Sequence, residues 1–201
     1  GGQASKNRVR EDLPTGRCLC MITPDSERTM RTDLGAAISL KPDEISENDF
    51  RGLSHLHMEG YLLFNKELAL KILDRAKFCG LKVSLDLSSF EVVRAFPDLR
   101  SILNEYVDIV FANEDEAAEF SKGKKPEDAL NEFATLCEIA VVKLGKNGAL
   151  IKRGKEFCKV EAVKVNAVDT TGAGDMWAAG FLYGLFTGKP LHKAGYCGSI
   201  T

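Results

Sequence analysis

Val168-Asp169-Thr170-Thr171-Gly172-Ala173-Gly174-Asp175-Met176-Trp177 is the stretch that decides how the chain is read. An apolar extended run ends there, two glycines flank an alanine, and an apolar helix is predicted over Thr171 to Phe186. Glycines let successive backbone N–H groups converge on one point, because no side chain blocks the approach. A helix N-terminus adds unpaired donors and a partial positive charge. The backbone of Gly172, Ala173 and Gly174 is therefore expected to form an anion pocket suited to a phosphate. Asp175 stands at its mouth. A carboxylate beside a phosphate is unfavourable unless it has chemistry to do, and the natural chemistry is accepting a proton from a hydroxyl that attacks phosphorus. The plainer reading is a cap on the first helical turn, where Asp is common. A dinucleotide fingerprint fails on context: it opens a βαβ unit with an acidic residue about 20 positions on, and no second strand follows here.

Upstream of that stretch, strands and helices alternate. Strand-like runs are expected in Leu53–Phe64, Leu81–Leu87, Val107–Ala112, Ile139–Leu144, Ala149–Lys152 and Phe157–Val165. Helical spacing is expected in Lys66–Phe78, Leu99–Tyr106, Glu114–Phe120 and Pro126–Cys137. That order predicts an α/β fold with a mostly parallel sheet. Ligands of such sheets sit beyond the carboxyl ends of the strands, which singles out Asn113, Gly145 and Gly172 as each following a strand. Arg17–Ile22 and Glu27–Asp33, joined by the turn signal at residues 23–26, read as an antiparallel hairpin outside the main sheet. The first sixteen residues read as a loop or tail, residues 17–40 as a lid-like β segment, and residues 41–201 as the α/β core.

Two further patterns suit a nucleoside triphosphate. Lys143-Leu144-Gly145-Lys146-Asn147-Gly148 ends a strand in a glycine turn, which brings backbone close to a ligand and puts Lys143 within reach of phosphates; a plain hairpin turn is the alternative. Asn113-Glu114-Asp115-Glu116 places Asn113 and Glu116 three apart, on one helix face. A carboxamide and a carboxylate there suit the water shell of Mg²⁺; a helix cap with first-turn acids is the alternative.

The composition limits the remaining classes. In 201 residues, 44% are apolar and 28% charged, and Lys plus Arg (27) nearly balances Asp plus Glu (29), for a net charge of −2. No basic excess marks a nucleic-acid binder. No apolar run approaches the ~20 residues of a membrane helix, and no signal peptide is visible at the N-terminus. The six cysteines, without CxxC spacing, read as reduced and mostly buried thiols of a cytoplasmic protein. His55-x-His57 and Cys18-x-Cys20 are read as ordinary packing positions and not metal sites. Trp177 and Phe181 are read as a core stripe, and Lys122-Gly123-Lys124-Lys125 as a solvated loop. Neither a Walker loop nor a protein-kinase catalytic signature occurs.

Taken together, DTTGAGD at 169–175, NEDE at 113–116 and KLGKNG at 143–148 resemble, in order and spacing, the motifs of the ribokinase-like, or PfkB, carbohydrate kinase family. Residues 23–37 (TPDSERTMRTDLGAA) and 84–90 (SLDLSSF) are similar to the adenosine-kinase-like subgroup. The resemblance implies a three-layer α/β/α sandwich with a β-hairpin lid, and a kinase that transfers the γ-phosphoryl group of ATP to a sugar or nucleoside hydroxyl. It implies Asp175 as catalytic base, Gly172, Ala173 and Gly174 as anion hole, and Asn113 and Glu116 as organisers of Mg²⁺ through water. Lys143, Gly145 and Gly148 would line the ATP site. Asp169 and Thr171 would lie near a K⁺ site, and Arg28 in the lid would contact substrate or phosphate. It further implies a chain longer at both ends than these 201 residues, and a homodimer through the lid. The competing expectation is a shortened or degenerate member that only binds nucleotide or scaffolds a partner.

Overall fold

A computed structural model describes residues 7–23, 28–165 and 169–201. Its centre is a six-stranded sheet: β3 (His55–Glu59), β4 (Lys82–Asp86), β5 (Ile109–Asn113), β6 (Ile139–Lys143), β7 (Ala149–Arg153) and β8 (Glu156–Val160) lie side by side in chain order. The first four are parallel and the last two antiparallel. A parallel pair needs a crossover, and helices supply it. The crossovers carry α1 (Lys66–Phe78) between β3 and β4, α2 (Phe90–Ala95) and α3 (Leu99–Tyr106) between β4 and β5, and α4 (Glu114–Ser121) and α5 (Pro126–Phe133) between β5 and β6. After β8 come α6 (Ala173–Phe186) and α7 (Leu191–Ser199). The sheet is mostly parallel and covered on both faces, the ribokinase-like α/β arrangement.

Period-two alternation sorts the strands between the layers. Val83, Leu85, Val110, Ala112, Ala140 and Val142 enter the core shared with α1 to α5. Ile109, Phe111, Ile139 and Val141 enter the core shared with α6 and α7. Those last two helices meet without bulk between them. A Cβ on Gly184 would lie 2.7 Å from the Ala194 Cα, and one on Gly198 would lie 2.7 Å from the Trp177 carbonyl oxygen. Trp177 stacks on Phe181 with ring centroids 5.5 Å apart. Both pack in the α6–α7 core, so the core-stripe reading holds.

β1 (Thr15–Ile22) and β2 (Arg28–Gly35) form a separate antiparallel pair, with every residue of β1 exposed.

Several expectations are corrected. The run Leu53–Phe64 is a strand only to Glu59 and then a 3₁₀ turn. The helix from Pro126 ends at Phe133 and not at Cys137. The last strand stops at Val160; Val163 and Val165 are exposed and find no sheet to bury against. Gly172 therefore follows no strand among the described residues, and Val168 lies outside them. The thiols are not mostly buried: Cys18, Cys20 and Cys79 are exposed, Cys158 and Cys197 are half-buried, and Cys137 alone is buried. No helix among the described residues is long and apolar enough to cross a membrane.

Candidate active site

On the α6 face of the sheet, the apolar pattern gives way to polar groups at the carboxyl ends of the parallel strands. Strand parity puts Glu59, Asp86, Asn113 and Lys143 on this face; the register aligns Glu59 with Asp86 and Phe111, and sets Asn113 opposite Lys143 two residues further toward the carboxyl ends. Asp86 is 4% exposed. It is held by Lys143, whose Nζ donates to Oδ2 at 2.5 Å. A charge this deep requires a partner, and the pair supplies it.

Glu116, 2% exposed, lies beside the pair. It closes a capping box at the start of α4. The Asn113 N–H and Nδ2 donate to its two carboxylate oxygens, each at 2.8 Å, and the Glu116 N–H donates to Asn113 Oδ1 at 2.9 Å. Burial pushes its carboxyl up to about 7; the backbone bond from Asn113 and the charge of Lys143 oppose the rise, and the negative charge of Asp86 adds to it. The helix-cap reading of Asn113 and Glu116 is thus correct as local structure. It leaves a buried acid poised beside a lysine.

The N-terminus of α6 stands over Lys143. Gly172 is its N-cap, at φ 76°, a left-handed conformation that glycine adopts without strain. An added Cβ on Gly174 would come 3.2 Å from Lys143 Nζ, and one on Gly172 would come 3.8 Å from an Asp175 carboxylate oxygen. The glycines thus leave the lysine head and the first-turn amides facing one space. Asp175 is exposed at the edge of that space, in the first turn of α6. Asp169 Oδ1 accepts from the Thr171 N–H at 2.8 Å, an Asx turn that leads into the helix.

Gly145 and Gly148 sit in the turn joining β6 to β7, closed by Leu144 N–H to Gly148 O at 2.7 Å and Gly148 N–H to Gly145 O at 3.0 Å. A Cβ on Gly148 would lie 1.9 Å from the Val160 carbonyl oxygen, so this glycine is there because β8 passes against it. Arg28 opens β2, and its side chain lies outside the described residues.

Sequence reasoning missed Asp86, Ser84 and Glu59. The signal was a lone Asp in the apolar run LKVSLDL, since a charge in a buried strand must find a partner. A hydrogen-bond chain lies beside it. His55 Nε2 and His57 Nδ1 both contact Ser84 Oγ, at 2.9 and 2.7 Å. His57 Nε2 lies 3.3 Å from Glu59 Oε1. A carboxylate only accepts, so in its neutral form His57 carries the proton on Nε2 and accepts at Nδ1 from the Ser84 hydroxyl. Ser84 in turn accepts from His55 Nε2–H, leaving His55 Nδ1 buried without a partner. Burial, and then the charge of His57, push His55 down to about 4. The two histidines thus share one sheet face as expected.

A model of the pfkB family of carbohydrate kinases matches residues 4–201. A probable sugar kinase of Rhizobium etli superposes with a TM-score of 0.86 at 37% identity, covering 92% of this chain and 58% of its own. The adenosine kinase of Sinorhizobium meliloti does so with a TM-score of 0.86 at 33% identity, covering 92% and 59%. An uncharacterised sugar kinase of Archaeoglobus fulgidus is 28% identical over 193 residues, 96% of this chain and 76% of its own length. The chain thus spans under two thirds of the two solved structures.

Proposed function

The chain belongs to the pfkB family of carbohydrate kinases, and on that premise we propose that it transfers the γ-phosphoryl group of ATP to a hydroxyl of a sugar or nucleoside. The observation that carries the proposal is the convergence of Lys143, held by Asp86, with the open N-terminus of α6 and the exposed carboxylate of Asp175. A lysine within reach of the phosphates, backbone donors at a helix start and an accessible base are what phosphoryl transfer asks of a protein.

In this reading the N–H groups of Gly172, Ala173 and Gly174 hold the equatorial oxygens of the moving phosphoryl group, that of Ala173 exchanging its 3.1 Å bond to the Thr170 carbonyl for the phosphate. Asp175 takes the proton of the acceptor hydroxyl as its oxygen bonds to phosphorus. Lys143 faces the nucleotide phosphates, and Gly145 and Gly148 shape the adjacent nucleotide wall. Asn113 and Glu116 fit a hard divalent cation by their oxygen donors. Both Glu116 oxygens are already engaged by Asn113, so the pair acts through water. Mg²⁺, when bound, supplies the positive charge that offsets the nucleotide phosphates. Asp169 and Thr171 would line a K⁺ site at the entry to α6. Residues 17–40, with Arg28, would act as a lid that contacts substrate and pairs with a second subunit. The similarity of residues 23–37 to the adenosine-kinase-like subgroup favours a nucleoside acceptor, and the sugar kinases among the relatives keep a sugar in the panel. A cytoplasmic location is consistent with this reading.

Asp175→Asn is the test in the complete protein, with a panel of sugars and nucleosides. Loss of a general base should lower kcat roughly 10²–10⁴-fold with little change in KM for ATP. Near-native turnover would remove Asp175 from that role.

A further inference from the structure

The thiols of Cys18 and Cys20 are exposed on β1, with Sγ atoms 3.7 Å apart. Positions i and i+2 of a strand share a face, and the register sets Met30 of β2 directly opposite Cys20 on that face, with Thr32 opposite Cys18. The Thr32 hydroxyl donates to Cys18 Sγ at 3.3 Å. Two thiols and a thioether, all solvent-accessible, thus gather on one side of the hairpin. Among the described residues no three His, Cys, Asp or Glu groups could hold a metal. Here the third donor is a methionine sulfur. Such a donor set is soft, and soft sulfur ligands select Cu(I) over hard cations.

We propose that Cys18, Cys20 and Met30 form a three-sulfur site for a soft monovalent cation of the Cu(I) class. Without metal, an S–H···S contact accounts for the sulfur spacing. A cation about 2.3 Å from each of two sulfurs, at an angle between tetrahedral and trigonal, needs them about 3.8–4.0 Å apart, close to what the strand already provides. Binding breaks two S–H bonds, releases two protons to solvent and forms two metal–thiolate bonds; the thioether donates a lone pair and no electron is transferred. Because the donors come from both strands, the cation staples β1 to β2.

The test titrates the complete reduced protein under argon with a Cu(I)–acetonitrile complex, alkylates the accessible thiols and maps them by mass spectrometry. One equivalent should shield Cys18 and Cys20 together while Cys79 stays reactive. Cys18→Ser should abolish the shielding of Cys20. Met30→Leu, which keeps an apolar strand residue and whose thermal midpoint controls for folding, should weaken Cu(I) affinity by about tenfold in competition with a chromogenic chelator. Shielding of Cys20 that persists in Cys18→Ser, an unchanged affinity in Met30→Leu, or first-equivalent shielding at Cys79 would each overturn the site.

Discussion

The turn after β6 and the turn before α6 are both glycine pairs spaced for an anion, yet they use glycine for opposite ends. At Gly148 the missing Cβ is filled by the protein itself, the Val160 carbonyl standing 1.9 Å from where that carbon would be. At Gly174 the nearest atom to the same imagined carbon is the ammonium head of Lys143, at 3.2 Å. One turn is closed by its own fold and the other is held open above a charge. A glycine-rich motif therefore signals close approach without saying what approaches. What separates the two cases is whether backbone or a functional side chain is the neighbour.

After Asp175→Asn, the largest effect expected from this contrast is at the open turn's floor. Lys143→Met leaves Asp86 buried and unpaired, which should cost about 3–5 kcal/mol in denaturant unfolding. Adding Asp86→Leu should recover part of it, because two apolar side chains in place of a buried ion pair are often tolerated. A single variant as stable as the wild type would mean that water reaches Asp86 and that the floor is not closed.

The glycines themselves come next. Gly148→Ala forces a methyl group into a carbonyl at φ 86° and should lose about 3 kcal/mol or more, from strain and overpacking together. Gly174→Ala replaces glycine in a helical first turn, where alanine is the better helix former, and should leave stability within about 1 kcal/mol. Its methyl group intrudes on the anion pocket, so kcat should fall about tenfold or more. If both variants behaved alike in unfolding and in turnover, the distinction between a closed and an open glycine turn would fail.

The two ends of α6 offer a subtler version of the same contrast. Its N-terminus is open, whereas Phe186 at its C-terminal end lies on His55, with ring centroids 4.5 Å apart. His55 sits in the fold at about 4 against an ordinary 6.5. The unfolded chain therefore binds the extra proton between those values, and stability present above pH 6.5 is lost as pH falls toward 4. The loss should be on the order of 1–2 kcal/mol, after allowing for partial exposure. His55→Phe should flatten that limb of the stability–pH curve; an unchanged limb would assign the acid sensitivity elsewhere.

Much of this was legible in the sequence because alternation of strands and helices is a long-wavelength signal. The runs at Lys82–Asp86, Ile109–Asn113 and Ile139–Lys143 are short, apolar and separated by helical spacing, and that settles a parallel sheet. α7 was not legible. Its glycines at 195 and 198 weaken the helical pattern, and their purpose, close packing on β7 and on Trp177, exists only in three dimensions. Phe90–Ala95 is too short to show a period, and its start is set by the Ser89 side chain accepting from the Val92 N–H. Of the polar residues on the α6 face of the sheet, Asn113 and Lys143 stand in motifs that the sequence singles out, whereas Glu59, Ser84 and Asp86 are given no role. Asp86 lies in the run SLDLSSF, whose resemblance assigns it no role; its meaning appears only when Lys143, 57 positions later, comes to it. The cysteines misled because thiols are usually buried, and a hairpin with both faces in solvent offers them no core.

Gly145 should give the smallest effect and the sharpest discrimination. Its φ of 51° lies in the left-handed region, and nothing lies within 4 Å of an added Cβ. Asparagine tolerates that conformation, so Gly145→Asn should change unfolding free energy by no more than about 0.5 kcal/mol. If Gly145 lines the nucleotide wall, a protruding carboxamide should raise KM for ATP while kcat is kept, because it touches bound nucleotide equally in the ground and transition states. A KM that does not move would give Gly145 to the hairpin alone. The turn after β6 would then serve the hairpin at both of its glycines, and the open space above Lys143 would belong wholly to the N-terminus of α6.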